Sequence, residues 1–175
     1  MNEFDARITT MLDELGIAED FRRRLAMPLQ PEADELVQCE NDLFGREQFM
    51  TPATGAAWRE MKQAALADAI ELQLVSAFRS VDYQCTLIKN KLAKGHVITD
   101  ILAVNAVPGY SEHHTGRALD LSTPGIEPLT EAFDSTPAFS WLCERASFFG
   151  FTMSYPKDNR LGIIYEPWHW AFGTR

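Results

Sequence analysis

Residues 108–121, PGYSEHHTGRALDL, set His113 seven positions before Asp120, with Gly116 between them. Near the other end of the chain, Tyr165-Glu166-Pro167-Trp168-His169-Trp170 adds a second histidine and a second carboxylate. Together they supply three ligands of imidazole and carboxylate type and a spare acid. That is the inventory of a hydrolytic zinc site, which keeps a fourth position for water and a separate base to take its proton. Gly116 suits a ligand loop that folds back around an ion, because it is free of Cβ restrictions. Ala118-Leu119-Asp120-Leu121 reads as the start of a strand that holds Asp120 on a stiff element.

A His-Asp pair at this spacing is common by chance. The distribution of histidines strengthens it: His113, His114 and His169 fall in the two segments, and only His96 lies elsewhere. Adjacent residues on extended chain point to opposite sides, so His114 is read as an outer or solvent-facing ring and not as a ligand. Regular strand geometry would place Glu166 and His169 on opposite faces. Pro167 cannot donate to a ladder and marks an irregular start of a strand, where both side chains can turn toward one site. The proline also disfavours a helical Glu-x-x-His.

PGYSEHHTGRALDL, the later EPWHW, and SAFRS at 76–80 followed by Gln84 resemble the signature of the zinc D-alanyl-D-alanine carboxypeptidases. These are the vancomycin-resistance-type carboxypeptidases and dipeptidases, which share a metal-site architecture with lysostaphin-type endopeptidases and the hedgehog signalling domain. The resemblance runs from about residue 37 to the end. It implies an α+β fold, a small antiparallel sheet flanked by helices, and one zinc ion per chain held by His113, Asp120 and His169. It makes Glu166 the catalytic base and Arg79 the residue that polarises the scissile carbonyl or binds substrate carboxylate. Gln84 and Ser111 would hold the substrate's C-terminal end, although Ser111 also reads as a loop hydroxyl bonding its own backbone. The implied reaction is hydrolysis of the terminal D-Ala bond of peptidoglycan stem peptides or precursors, the D,D bond ahead of the L,D bond. A peptidoglycan endopeptidase and a zinc-containing binding module without catalysis are the alternatives. A pure binding module needs no base beside its metal, so Glu166 and Arg79 argue against the latter.

The 175 residues are 46% hydrophobic, which fits one globular domain over 1–175, with 1–30 a helical extension packed on it. A net charge of −9 argues against nucleic acid as a partner, and the basic run Arg22-Arg23-Arg24 is short. Cys39, Cys85 and Cys143 are odd in number and share no paired motif, so they read as buried free thiols. MNEFDARITTMLDELG resembles neither a secretory signal nor a membrane span, so the expectation is a cytoplasmic protein with no membrane partner.

Periodicity and caps predict helices over 4–15, 18–26, 51–69, 80–93, 99–105 and 136–150. Strands are expected at 36–39, 72–77 and 118–121. A hairpin joins 151–154 to 161–171 across Lys157-Asp158-Asn159-Arg160.

Overall fold

Thr51 and Ser80 begin the two helices that frame the centre of the molecule. In the computed structural model, which describes residues 3–23, 25–103, 105–161 and 163–173, the Thr51 hydroxyl accepts from the Thr54 amide and Pro52 occupies the first turn of its helix. The Ser80 hydroxyl accepts from the Tyr83 amide. Each cap satisfies an amide that helix geometry leaves without a partner. In chain order the elements are α1 (Glu3–Glu14), α2 (Glu19–Arg23), β1 (Val37–Asn41), β2 (Glu47–Met50), α3 (Pro52–Ala67), β3 (Gln73–Ser76), α4 (Val81–Ala93), α5 (Ile98–Ala103), β4 (Ala118–Ser122), α6 (Pro137–Arg145), β5 (Phe151–Met153) and β6 (His169–Phe172). Turns of 3-10 helix lie at Glu112–Thr115, Glu131–Ser135 and Ala146–Phe149.

A four-stranded sheet of order β3-β4-β6-β5 has every neighbouring pair antiparallel. Every residue of β4 is buried, as expected of an interior strand covered on both faces. Leu119 and Leu121 of that strand join Trp58 and Met61 of α3, Leu142 of α6 and Phe133 in the main core. Three buried or half-buried indoles keep a partner for their N–H, donating to Glu40, Asp68 and the Pro167 carbonyl. The β1–β2 hairpin forms a separate two-stranded sheet beside β3, joined to it where Leu43 N donates to Leu74 O and Phe78 N to Phe49 O.

A second core binds the N-terminal helix to the rest. Ile8, Leu12, Leu15 and Ile17 pack with Val81, Cys85 and Ile88 of α4 and with Ile101 of α5. Arg7 pairs with Glu32 and Asp82, and Glu32 also accepts from the Val81 amide at the start of α4.

Several expectations change. The strand β2 pairs with β1 and was not anticipated. The expected hairpin is formed only at its ends: β5 and β6 pair antiparallel, but the second strand begins at His169 and not at Leu161, and the described residues between Met153 and His169 form no strand. Ile164 in that stretch is 54% exposed, so its apolar run is not a buried strand. Cys85 is buried, Cys39 is half-buried and Cys143 is exposed. Arg24 of the basic run, Val104 of the expected 99–105 helix and Gly162 of the expected hairpin lie outside the described residues. Among the described residues, no helix is long and apolar enough to cross a membrane.

Candidate metal centre and active site

The sequence SEHHTG folds as one turn of 3-10 helix, with the Ser111 hydroxyl accepting from the His113 amide at 3.4 Å. Gly116 ends the turn at φ +64°, the left-handed region. A Cβ there would lie 2.9 Å from Leu36 Cδ2 and 3.2 Å from the Thr51 nitrogen. That crowding adds to the cost of a positive φ and leaves room only for glycine. The chain then enters β4, which carries Asp120. Across the antiparallel ladder Asp120 stands directly opposite His169, the first residue of β6.

This register brings His113, Asp120 and His169 together, with one ligand atom from each lying within 4.8 Å of the others. His113 Nε2 is 3.1 Å from Asp120 Oδ2, and His169 Nδ1 is 3.1 Å from Asp120 Oδ1. The rings meet edge to face, 4.9 Å apart at 85°. Each imidazole commits its outer nitrogen elsewhere. His113 Nδ1 donates to the Ala77 carbonyl at 2.6 Å, and His169 Nε2 donates to Glu112 Oε2 at 2.9 Å. In the neutral rings the inner nitrogens are then lone pairs aimed at carboxylate oxygens, so acceptors face acceptors. Only a shared proton or a cation relieves that arrangement.

The ionisation pattern has the same origin. Burial alone would raise Asp120, but the charges and hydrogen bonds of His113 and His169 hold it far below the usual carboxylate range. Burial opposes a charge on His169, yet its hydrogen bonds to Asp120 and Glu112 push it up to about 10. Burial keeps His113 low despite Asp120. Two imidazoles and a buried carboxylate are a donor set suited to zinc, and the site is built to retain positive charge between them.

Glu166 sits at the edge of this cluster, its Oε2 3.8 Å from His169 Nδ1. Its amide donates to the Tyr155 carbonyl and its carbonyl accepts from the His169 amide. The turn through Pro167 therefore aims both side chains at one place, as the irregular strand start implied. Burial, helped by the charges of Asp120 and Glu112 and opposed by those of His169 and Arg79, pushes Glu166 up to about 7.

Arg79 follows β3 and precedes the Ser80 cap. Its amide donates to the His113 carbonyl at 3.2 Å, and its Nη1 donates to Gln84 Oε1 at 3.0 Å. Gln84 is fully buried on α4 and gives its other amide end to the Ala106 carbonyl at 2.8 Å. Ser111 is buried and serves as the cap of the ligand turn.

His114 faces inward, because the chain at 112–115 is helical and not extended. Its Nδ1 donates to the Arg79 carbonyl at 2.6 Å and its Nε2 accepts from the Gly109 amide at 3.1 Å. Burial pushes it down to about 4, so it is a neutral staple between two loops.

Three contributors were not foreseen. Glu112 backs His169. Tyr155 lays its ring against His169 at 4.7 Å. Gln48 accepts from the Ala77 amide, donates to the buried Asp42 carboxylate, and so steadies the peptide whose carbonyl holds His113. For Glu112 the available signal was a carboxylate beside His113, the second in the segment once Asp120 is counted; for the others the sequence carried none.

The chain's likeness to known proteins agrees with this geometry. Residues 47–175 match the family model described as VanY, D-alanyl-D-alanine carboxypeptidase. The chain is 34% identical over 156 residues to the Bacillus subtilis protein YodJ, covering 84% of this chain and 56% of that one. It is 31% identical over 124 residues to the D-alanyl-D-alanine carboxypeptidase of Enterococcus faecalis, covering 65% of this chain and 44% of the relative. The chain thus spans about half the length of these curated relatives. Among solved structures, the LdcB LD-carboxypeptidase superposes with a TM-score of 0.72 at 32% identity, covering 83% of this chain and 71% of that one. A mutant of the vancomycin-resistance D,D-pentapeptidase VanY in complex with Zn(II) gives 0.63 at 28% identity, covering 84% and 82%. VanYB in complex with D-alanine-D-alanine gives 0.61 at 28% identity, covering 83% and 80%. The fold, the ligand geometry and these matches together make the chain a member of the VanY D-alanyl-D-alanine carboxypeptidase family.

Proposed function

We propose that this chain is a zinc-dependent carboxypeptidase that removes the terminal D-alanine from peptidoglycan stem peptides or precursors, the D,D bond ahead of the L,D bond, with one ion per chain. The observation that carries the reading is the convergence of His113 Nε2, His169 Nδ1 and the Asp120 carboxylate as acceptors whose outer partners are already fixed. Family membership and the likeness to a Zn(II) complex of VanY support it. When held there, zinc supplies a Lewis acid that polarises a carbonyl and lowers the pKa of water from about 15.7 toward ~7.

The protein's own residues supply the rest. Glu166, buried and pushed up to about 7, is placed to take a proton from the attacking water and return it to the leaving amine. Arg79 puts a fixed charge near Glu166 and His113, where it can bind the oxygen that becomes negative or the carboxylate of the terminal D-alanine. Its planar guanidinium allows two parallel hydrogen bonds to either group. Gln84 holds that guanidinium in place, and Ser111 shapes the turn that presents His113. With a formal charge of −9, the chain repels an anionic peptide overall, so the local positive field of the site must draw it in.

Incubation of the zinc-loaded chain with a stem pentapeptide ending in D-Ala-D-Ala and with a tetrapeptide ending in an L,D bond tests this. D-alanine should be released from the pentapeptide faster than from the tetrapeptide. Release from neither would sink the carboxypeptidase reading, and cleavage confined to cross-linked peptide would replace it with an endopeptidase.

A further inference from the structure

Glu112 meets His169 on the side away from the reaction. His169 Nδ1 faces Asp120 at 3.1 Å and Glu166 at 3.8 Å, whereas Nε2 faces Glu112 Oε2 at 2.9 Å. The same Oε2 accepts from the Ser154 hydroxyl at 2.6 Å, so two donors fix one oxygen. The Glu112 backbone is pinned as well, its carbonyl accepting from Thr115 Oγ1 at 2.6 Å. With its side chain only 15% exposed, Glu112 is not a solvated surface acid. Its place behind Nε2 also removes it from the ligand set, since one imidazole cannot present both nitrogens to the same ion.

We infer that Glu112, steadied by Ser154, is a positioning residue for the metal ligand His169, an inference that rests on the zinc reading above. A carboxylate accepting from Nε2–H fixes the tautomer that leaves Nδ1 as a lone pair, holds the ring plane, and makes that lone pair more basic. The two histidines are supported unequally. His113 leans on a neutral carbonyl of Ala77, and His169 leans on a charged group from the turn that also carries His113. Glu112 therefore ties β6 to the 3-10 turn, so the ligands of the two elements are set relative to one another before an ion arrives. The Tyr155 ring, next in sequence to Ser154, covers the face of the same imidazole.

The test is zinc affinity, measured by competition between the full chain and a chromophoric chelator, for the unaltered protein and for Glu112→Gln, Glu112→Ala and Ser154→Ala. Melting of each protein without zinc controls for folding. Glu112→Ala should bind zinc about 10–100-fold more weakly. Glu112→Gln, which keeps an acceptor for Nε2–H but not the charge, should recover part of that loss, and Ser154→Ala should lose less than Glu112→Ala. A general loss of structure would give no such graded rescue. Zinc affinity of Glu112→Ala within about twofold of the unaltered chain overturns the inference and leaves the proposed function standing. An unaltered chain that takes up no zinc overturns both.

Discussion

Arg79 and Gln84 are joined end to end, guanidinium Nη1 to amide Oε1 at 3.0 Å, and the far end of Gln84 is tied to the Ala106 carbonyl. Both ends of the amide are thus occupied within the protein. Gln84→Met keeps the volume and frees the guanidinium, and it should lower kcat/KM about 10–100-fold through misplacement of a binding group. Arg79→Ala should cost about 10²–10³. The double variant should be no worse than Arg79→Ala, because Gln84 acts through Arg79. Steady-state kinetics on the stem pentapeptide checks this, and multiplying effects would mean that Gln84 touches substrate itself.

Glu166→Gln separates the base from the ligands. Glu166 lies at the rim of the cluster, 3.8 Å from His169 Nδ1, and is not among the three converging donors. The variant should keep about one equivalent of zinc by metal analysis and lose about 10²–10⁴ in kcat. Turnover close to that of the unaltered chain would show that another group takes the proton.

Asp42 ties stability to pH. Burial alone would raise its carboxyl, but hydrogen bonds from the Arg46 amide and guanidinium and from the Phe44 amide outweigh burial and lower it. A carboxyl lowered on folding stabilises fully above its unfolded value of about 3.9 and loses that contribution as pH falls through its folded value. Asp42→Asn should cost about 1–3 kcal/mol near neutrality. The difference in melting temperature should shrink as pH falls below about 4, where the unfolded chain takes up the proton first, and should go on shrinking toward the lowered folded value. A gap that stays constant across that range would contradict the assignment.

Gly116→Ala should strain the turn between His113 and Asp120, since its φ is +64° and its Cβ would press on Leu36 and the Thr51 backbone. We expect a loss of about 1–3 kcal/mol in thermal unfolding together with weaker zinc binding. Unchanged zinc affinity would mean that the turn relaxes without moving His113.

The two segments that carry His113, Asp120 and His169 were legible because each has its own punctuation, Gly116 in one and Pro167 in the other, and the structure brings these three side chains together. The α+β architecture was legible through caps such as Thr51-Pro52 and Ser80, whose signals are local. What stayed hidden depends on distant partners. Glu112 finds Ser154 and His169 only after β4, β5 and β6 assemble. His114 was placed on extended chain because a single turn of 3-10 helix leaves no periodic trace. The strand β2, Glu47–Met50, is too short for its alternation to stand out. Leu161, Ile163 and Ile164 mimic a core strand in composition, but they form no strand and Ile164 is exposed.

Gly109 adopts φ +87° and rests on Ile8 of α1, so closely that a Cβ would come within 2.8 Å of that side chain. Its carbonyl accepts from the Gln30 amide, while its amide is held by His114. Ile8 and Gln30 both precede the stretch matched by the family model, which begins at residue 47. A fragment cut at that boundary would keep every donor atom of the candidate metal centre and lose the keel beneath the loop that presents His113.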